Sequence, residues 1–270
     1  MESAPSSIIL TITTAALTSA FCNAAVVTYA EYDFGTGYTT SDSPSYSTAD
    51  TSGNGGANLG TGSTGWAILD DGVSGNAFRQ IGTTSGYQYM QNTSLLSAMP
   101  DQNWGIGLYF RVANAGQSSG IVMQLNGGGN GSPLINMEIT AGNIYRTSIS
   151  GNGNSFNYNS TFAADSGATV GEWDHLALIN VNGSTAFYLN GVQVGNAQAN
   201  AIDLGQINFA IKAGGSGELN NGDFDYFKAV TFDSSDTAAD ALSALAVPEP
   251  SSTALIGLAG LGFILRRKRA

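Results

Sequence analysis

Gly171–Gly195 reads GEWDHLALINVNGSTAFYLNGVQVG, and its turns and strands decide the fold. Trp173 to Val181 is a run of apolar and β-branched side chains, which suits a pleated, packed surface. Asn182-Gly183 follows. Asn-Gly favours the positive φ angles that a type I′ turn demands, so the chain reverses there into a hairpin. Thr185 to Asn190 returns as the second strand, and Asn190-Gly191 turns it again into Val192-Gln193-Val194. The segment predicts three antiparallel strands in a meander.

The same grammar extends outward. Short runs of strand-forming residues separated by turn clusters occur at Val26–Phe34, Gly65–Asp70, Ala77–Gly82, Tyr87–Gln91, Gly105–Ala113 and Ile121–Leu125. They continue at Leu134–Thr140, Asn143–Ile149, Ile207–Ala213 and Phe224–Phe232. This spacing is that of an all-β, two-sheet antiparallel sandwich. Asp236–Ala246, DTAADALSALA, is the one convincing helical stretch of the body, with Ser and Asp residues ahead of it able to cap it. No long helical pattern separates the strands, which excludes a parallel βαβ sheet. Gly35–Gly65 is a low-complexity stretch of Gly, Ser, Thr and Asn; a surface loop, an irregular strand pair and a flexible linker all fit it.

Composition agrees with this class and narrows the chemistry. There are 36 glycines, only 11% charged residues and 42% hydrophobic ones, enough apolar surface for a core. Setting aside Glu2 and Glu249, 18 acids in the body face five bases, Arg79, Arg111, Arg146, Lys212 and Lys228. Such a surface repels nucleic acid and anionic membranes. It is compatible with cations or neutral glycans, and equally with plain solubility. Cys22 is the single cysteine, so no disulfide framework exists, and the single His175 excludes any site built on two imidazoles.

Both ends read as sorting signals rather than fold. Ser7–Phe21 is apolar and uncharged, and Cys22-Asn23-Ala24-Ala25 supplies small residues for cleavage, so 1–24 is expected to be a secretory signal peptide removed by signal peptidase. At the other end Pro248-Glu249-Pro250 precedes an apolar run, Ser251–Leu265, and then Arg266, Arg267, Lys268 and Arg269. Fifteen residues are short for a permanent membrane span, and the basic cluster would be held on the cytoplasmic side as a stop. The prolines keep the segment ahead of the run extended.

This tripartite tail resembles the PEP-CTERM sorting signal of Gram-negative bacteria. The resemblance implies transient anchoring in the inner membrane and recognition by an exosortase, a membrane cysteine transpeptidase that cuts near the Pro-Glu-Pro. It implies delivery to the envelope, cell surface or extracellular matrix of a polysaccharide-producing cell. The domain boundaries expected are therefore 1–24 signal peptide, 25–246 body and 247–270 sorting signal.

The body resembles the LamG-like, concanavalin A-type jelly roll. Trp173-Asp174-His175-Leu176 and Phe187-Tyr188-Leu189-Asn190-Gly191-Val192 match the family's Trp-x-His strand and its Phe-Tyr-Leu-Asn-Gly-Val hairpin. Asp223–Lys228 resembles the family's closing strand, after which a small Ala/Leu-rich helix follows. The resemblance makes Trp173, His175, Asn190 and Gly191 fold-motif residues, with His175 packed and its nitrogens satisfied.

Glycoside hydrolases exist on this fold, and retaining ones need two carboxylates about 5–5.5 Å apart. The family's hydrolases carry Glu-x-Asp-x-x-Glu on one strand. Glu31-Tyr32-Asp33 and Glu172-Trp173-Asp174 begin that pattern, but Thr36 and Ala177 end it, and Asp223 and Asp225 lack a third acid. These acids are expected at strand ends facing water, and the body is expected not to be an enzyme. No cofactor is expected. A structural calcium is left open at Asp70-Asp71 or Asp233/Asp236, with no ligands assigned. Tyr87, Tyr89, Tyr145 and Tyr158 are candidate glycan platforms, so extracellular polysaccharide is the candidate partner. The function expected is a non-catalytic, glycan-binding or adhesive sandwich; a glycan-degrading hydrolase and a structural biofilm protein are the alternatives.

Overall fold

The computed structural model describes residues 26–34, 47–48, 51–52, 59–61, 66–80, 88–92, 103–113, 120–127, 133–139, 144–149, 160–199, 207–213 and 222–247. Two antiparallel sheets of eight strands each face one another. Across the first sheet the order is β14 (Val192–Ala199), β13 (Ser184–Leu189), β12 (Trp173–Val181), β7 (Asn103–Val112), β16 (Gly222–Phe232), β5 (Ala77–Gln80) and β4 (Trp66–Leu69). β1 (Val27–Tyr32) also pairs with β16. Across the second it is β11 (Ser160–Gly167), β10 (Ile144–Ile149), β9 (Pro133–Ile139), β8 (Gly120–Gly127), β15 (Ile207–Ala213), β6 (Gln88–Asn92), β3 (Leu59–Thr61) and β2 (Ser47–Thr48). The one helix among the described residues, α1 (Ala238–Leu245), follows β16.

The meander forms as read. β12 pairs with β13 from Leu176↔Leu189 to Val181↔Ser184, and both turns have the anticipated left-handed residues: Asn182 at φ 51° with Gly183 at 77°, and Asn190 at 51° with Gly191 at 78°. Ile106, Leu108, Phe110 and Val112 of β7 and Leu176 and Leu178 of β12 point between the sheets. Ile135, Met137, Ile139 and Tyr145 meet them from the second sheet.

β7 and β12 are buried along nearly their whole length because α1 covers the other face of their sheet. Ala177, Ile179, Val230 and Phe232 form that second cluster with Ala241 and Leu245 of the helix. Strands covered on both sides read as continuous apolar runs, which is why LALI in β12 does not alternate. Gly105 and Gly107 let the helix approach: a Cβ on Gly105 would lie 3.1 Å from Leu245 Cδ1, and one on Gly107 would lie 3.3 Å from Leu245 Cβ.

β16 changes neighbour midway. Asp223 and Phe224 pair with β5, whereas Phe227 to Thr231 pair with β1. Between the two lies a bulge against β7, where Tyr226 takes φ 42°. The extra residue bends the strand and lets one edge serve two partners.

The structure adds to the sequence reading at three points. β11, STFAADSG, is a strand that the pattern did not reveal, because it is short of the apolar alternation that marks a half-buried strand. Within Gly35–Gly65, β2 and β3 pair at Ser47↔Gly60 and Thr48↔Leu59, so the strand-pair reading is the one that holds for those residues. The helix cap is Thr237 rather than a Ser or Asp, and Asp240 completes a capping box with it. The expected signal peptide, the Pro248-Glu249-Pro250 motif, the apolar run and the basic stop lie outside the described residues. Among the described residues no helix is long and apolar enough to cross a membrane.

Candidate functional site

Of the four fold-motif residues, His175, Asn190 and Gly191 come together at one end of β12, where Asn190 bonds both His175 and Asp174. The Asn190 backbone N–H donates to the His175 carbonyl at 2.8 Å, and the His175 N–H donates back to Asn190 Oδ1 at 2.8 Å. Asn190 Nδ2 also donates to Asp174 Oδ1 at 2.8 Å. Asp174 alternates inward, where its other oxygen accepts from the Tyr145 hydroxyl of β10 at 2.8 Å. One carboxylate thus ties the turn of the first sheet to the second sheet. Burial, reinforced by this carboxylate, pushes the Tyr145 phenol far above its ordinary range. Tyr145 is 1% exposed, so it is a core residue and not a glycan platform.

His175 faces the opposite way, stacked on Tyr109 with ring centroids 4.7 Å apart. A Cβ on Gly107 would come within 2.9 Å of His175 Nε2, so the missing side chain makes room for the ring. Nε2 is buried and has no hydrogen-bond partner. The expectation that both nitrogens are satisfied is therefore corrected: Nε2 faces the space that a side chain on Gly107 would fill. Burial lowers its pKa to about 4, so the ring is neutral at physiological pH.

Tyr109, His175, Asn190 and Gly191 form one wall of a groove of about 450 Å³, and Leu242, Ser243 and Ala246 form the other. The chain leaves the body at this groove, where the Val247 N–H meets the Tyr109 hydroxyl at 3.4 Å.

Trp173 sits one step further along the sheet and belongs to a charge network. Arg111 lies over its ring at 4.5 Å, and the indole N–H donates to the Asp71 carbonyl at 3.1 Å. Arg111 grips the Asp71 carboxylate with two bonds, at 2.8 and 2.9 Å, and reaches Asp223 at 2.7 Å. Arg79 holds Asp223 from the other side at 2.6 and 2.8 Å. Hydrogen bonding to these carboxylates, Asp71 foremost for Arg111 and Asp223 for Arg79, raises both guanidinium pKa values, and Arg111 lowers that of Asp71. Two arginines and two aspartates balance, so this is a neutral clamp between β5, β7 and β16.

Beyond the clamp, Ser74 Oγ lies 3.0 Å from Asp225 Oδ1 and 3.2 Å from Asp33 Oδ1, and the Ser74 and Tyr226 N–H groups also donate to Asp225. Burial raises the Asp225 pKa to about 6 against the opposing pull of these bonds. Glu31 accepts from the Tyr226 hydroxyl at 3.0 Å and pairs with Lys228 at 3.4 Å.

The acids expected to face water do not all do so. Asp223 and Asp225 are fully buried and Asp174 is 8% exposed, because each lies mid-sheet with donors assembled around it. Glu172 is exposed. Three of the four calcium candidates are committed elsewhere: Asp71 to Arg111, Asp233 Oδ1 to the Ser235 N–H and hydroxyl, and Asp236 to the Asp233 N–H. Among the described residues no group of three or more His, Cys, Asp or Glu side chains could hold a metal ion. Sequence reasoning missed Tyr109, Arg111 and Tyr145 as partners of the motif. They come from strands distant in the chain, and no local pattern announces such pairing.

Comparison with known proteins agrees with this architecture. Residues 246–269 match the PEP-CTERM protein-sorting motif, which marks an exported protein of the cell envelope or beyond, processed by an exosortase. No curated protein matches the sequence. Among solved structures, Trypanosoma rangeli sialidase in complex with 2,3-difluorosialic acid is similar at a TM-score of 0.54 and 8% identity, over 81% of this chain and 33% of that one. A botulinum neurotoxin type C structure is similar at 0.50 and 13%, over 82% and 52%. A carbohydrate esterase from Shiga toxin-encoding bacteriophage phi24B is similar at 0.51 and 13%, over 77% and 100%. The chain spans about a third of the sialidase's length, and at these identities the likeness is one of fold. Residues 83–239 match the concanavalin A-like lectin/glucanases superfamily, more than half of the chain, and with the two facing sheets and the Trp173–Asn190 motif in place the chain belongs to that superfamily.

Proposed function

We propose that the body is a non-catalytic module that binds extracellular polysaccharide, in the envelope or matrix to which the tail delivers it. In this reading signal peptidase removes 1–24, and the short apolar run Ser251–Leu265 holds the chain in the inner membrane until the exosortase cuts.

The observation that carries the binding role is the second sheet's outer face. α1 covers the first sheet, and among the described residues no element packs on the far side of the second. Strand register sets the positions of Ser148, Asn136, Gln124, Ala210 and Gln91 in one line across five strands. Ile135, Met137, Ile139, Tyr145 and Thr147 are buried between the sheets while Arg146 is exposed, so β9 and β10 alternate between the core and an outer face. Arg146 and Glu138 pair on the same face. The strands of this sheet are rich in Ser, Thr, Asn and Gln and poor in charged residues, which suits a neutral, hydroxyl-rich chain. The ganglioside interaction of the botulinum neurotoxin and the sialic acid analogue in the sialidase are compatible with this reading.

The non-catalytic part is supported by the fate of the acids. Asp174, Asp223 and Asp225 are buried among structural donors. Asp33 and Asp225, which share Ser74, look most like a catalytic pair, but full burial of Asp225 leaves no path for a sugar.

The test is a glycan array and a pull-down on purified envelope polysaccharide, with calcium present. Binding is expected, and Gln124→Ala with Asn136→Ala should weaken it about tenfold, the loss of one or two good polar contacts. No binding on any glycan overturns the reading, and sugar release from a polysaccharide would return the hydrolase alternative.

A further inference from the structure

The sorting motif begins before the fold has ended. Its match starts at residue 246, yet Ala246 is the C-cap of α1, with its N–H bonded to the Leu242 carbonyl, and Val247 is bonded to Tyr109. Only Pro248, Glu249 and Pro250 separate Val247 from Ser251, where the apolar run starts.

We propose that α1 is a retractable tether: docked on the first sheet it withholds the sorting motif from the exosortase, and cleavage proceeds from molecules in which the helix has left the sheet. The proposal rests on the anchored-tail reading above.

Reach is the first argument. Four Cα steps from Val247 to Ser251 span at most about 14 Å. With the apolar run in the hydrocarbon, half of that is used by the headgroup layer, roughly 5–7 Å thick on each side. The docked body would be pressed onto the membrane surface. A peptide-cutting enzyme has no room to enter between them.

Conformation is the second. Processing enzymes take their substrate extended, and Ser243 to Leu245 are helical while Ala246 caps the helix. Cleavage of a folded segment proceeds through its open form.

Ease of release is the third. α1 ends the described fold, and its departure removes no strand from either sheet. Only Ala241 and Leu245 of the helix are buried. Eight residues do not hold a helix alone in water, so the released segment extends. Asp236 to Val247 then becomes a tether of up to about 36 Å.

The experiment follows precursor processing by pulse-chase in cells that carry the exosortase. One variant inserts about ten Gly and Ser residues between Val247 and Pro248, which leaves every docked contact intact while supplying reach. A second, Leu245→Ser, releases the helix. Each is expected to shorten the processing half-time at least threefold, and their combination to add little. A spacer that leaves the rate unchanged, or slows it, overturns the tether; slowing would show that the enzyme reads the docked face. The membrane fraction of a Pro248→Ala, Glu249→Ala precursor is measured alongside. Loss of that precursor from the membrane fails the anchored-tail reading, whereas retention with unchanged kinetics fails the tether alone.

Discussion

Asn190 fixes the position of three chain segments from one left-handed residue. Its side chain satisfies the His175 N–H and one oxygen of buried Asp174, and its φ of 51° starts the turn into Gly191. Replacement by Ala removes both bonds, strands two polar groups and adds the cost of a Cβ in the left-handed region. Asn190→Ala should destabilise the body by about 3 kcal/mol, whereas Asn190→Gly, free of the backbone cost, should lose about 2 kcal/mol. Urea unfolding at neutral pH measures both, and equal losses would show that the backbone conformation contributes nothing. Asn-Gly was legible in the sequence because turn chemistry is local: Asn182-Gly183 and Asn190-Gly191 adopt the expected angles. The unsatisfied Nε2 of His175 was not legible, since it depends on Gly107, which meets the ring from a strand distant in the chain. Asp223 and Asp225 were misread for the same reason; their partners Arg79, Arg111 and Ser74 are distant in sequence.

At the scale of elements, α1 shows how a short helix is held. Its capping box satisfies orphan donors at the first turn, with Asp240 bonding the Thr237 N–H at 2.8 Å and Thr237 Oγ1 accepting from the Asp240 N–H at 3.3 Å. Thr237→Ala should cost about 1 kcal/mol. Because the helix lies outside both sheets, that loss should appear first as faster amide exchange over 238–247, with the β7 and β12 amides unaffected. Uniform acceleration across the sandwich would show that helix and sheets open as one unit. The helix was legible from its Ala/Leu pattern, but its packing was not: Gly105 and Gly107 in β7 read as weak strand residues until the helix lies over them. β11 escaped for the converse reason. Its sequence has little strand signal, and its pairing with β10, from Ile144↔Gly167 to Ile149↔Ser160, supplies what the residues alone do not.

At the scale of the whole molecule, two buried groups on the helix-bearing face of the first sheet set opposing responses to acid. His175 has a folded pKa of about 4, below its ordinary 6.5, so between those values the unfolded chain binds a proton that the native ring refuses. Stability from this group falls as pH drops from 6.5 to 4, by up to about 3 kcal/mol. Asp225 has a folded pKa of about 6, above its ordinary 3.8, so in that window the native state holds the extra proton. Its contribution is fully present below pH 3.8 and is lost as pH rises through 6, again by about 3 kcal/mol. The two nearly cancel in the native protein, and each substitution unmasks the other. Asp225→Asn should lose stability on acidification from pH 6.5 to 4.5, relative to the parent, and His175→Phe should gain it over pH 6 to 4.5. Comparing each variant with the parent removes the common response of the remaining acids, including Asp71, whose lowered pKa places its loss below this window. Urea midpoints at pH 7, 5.5 and 4.5 provide the measurement. Opposite slopes for the two variants are expected; parallel profiles would mean that neither group's burial differs between the folded and unfolded chain.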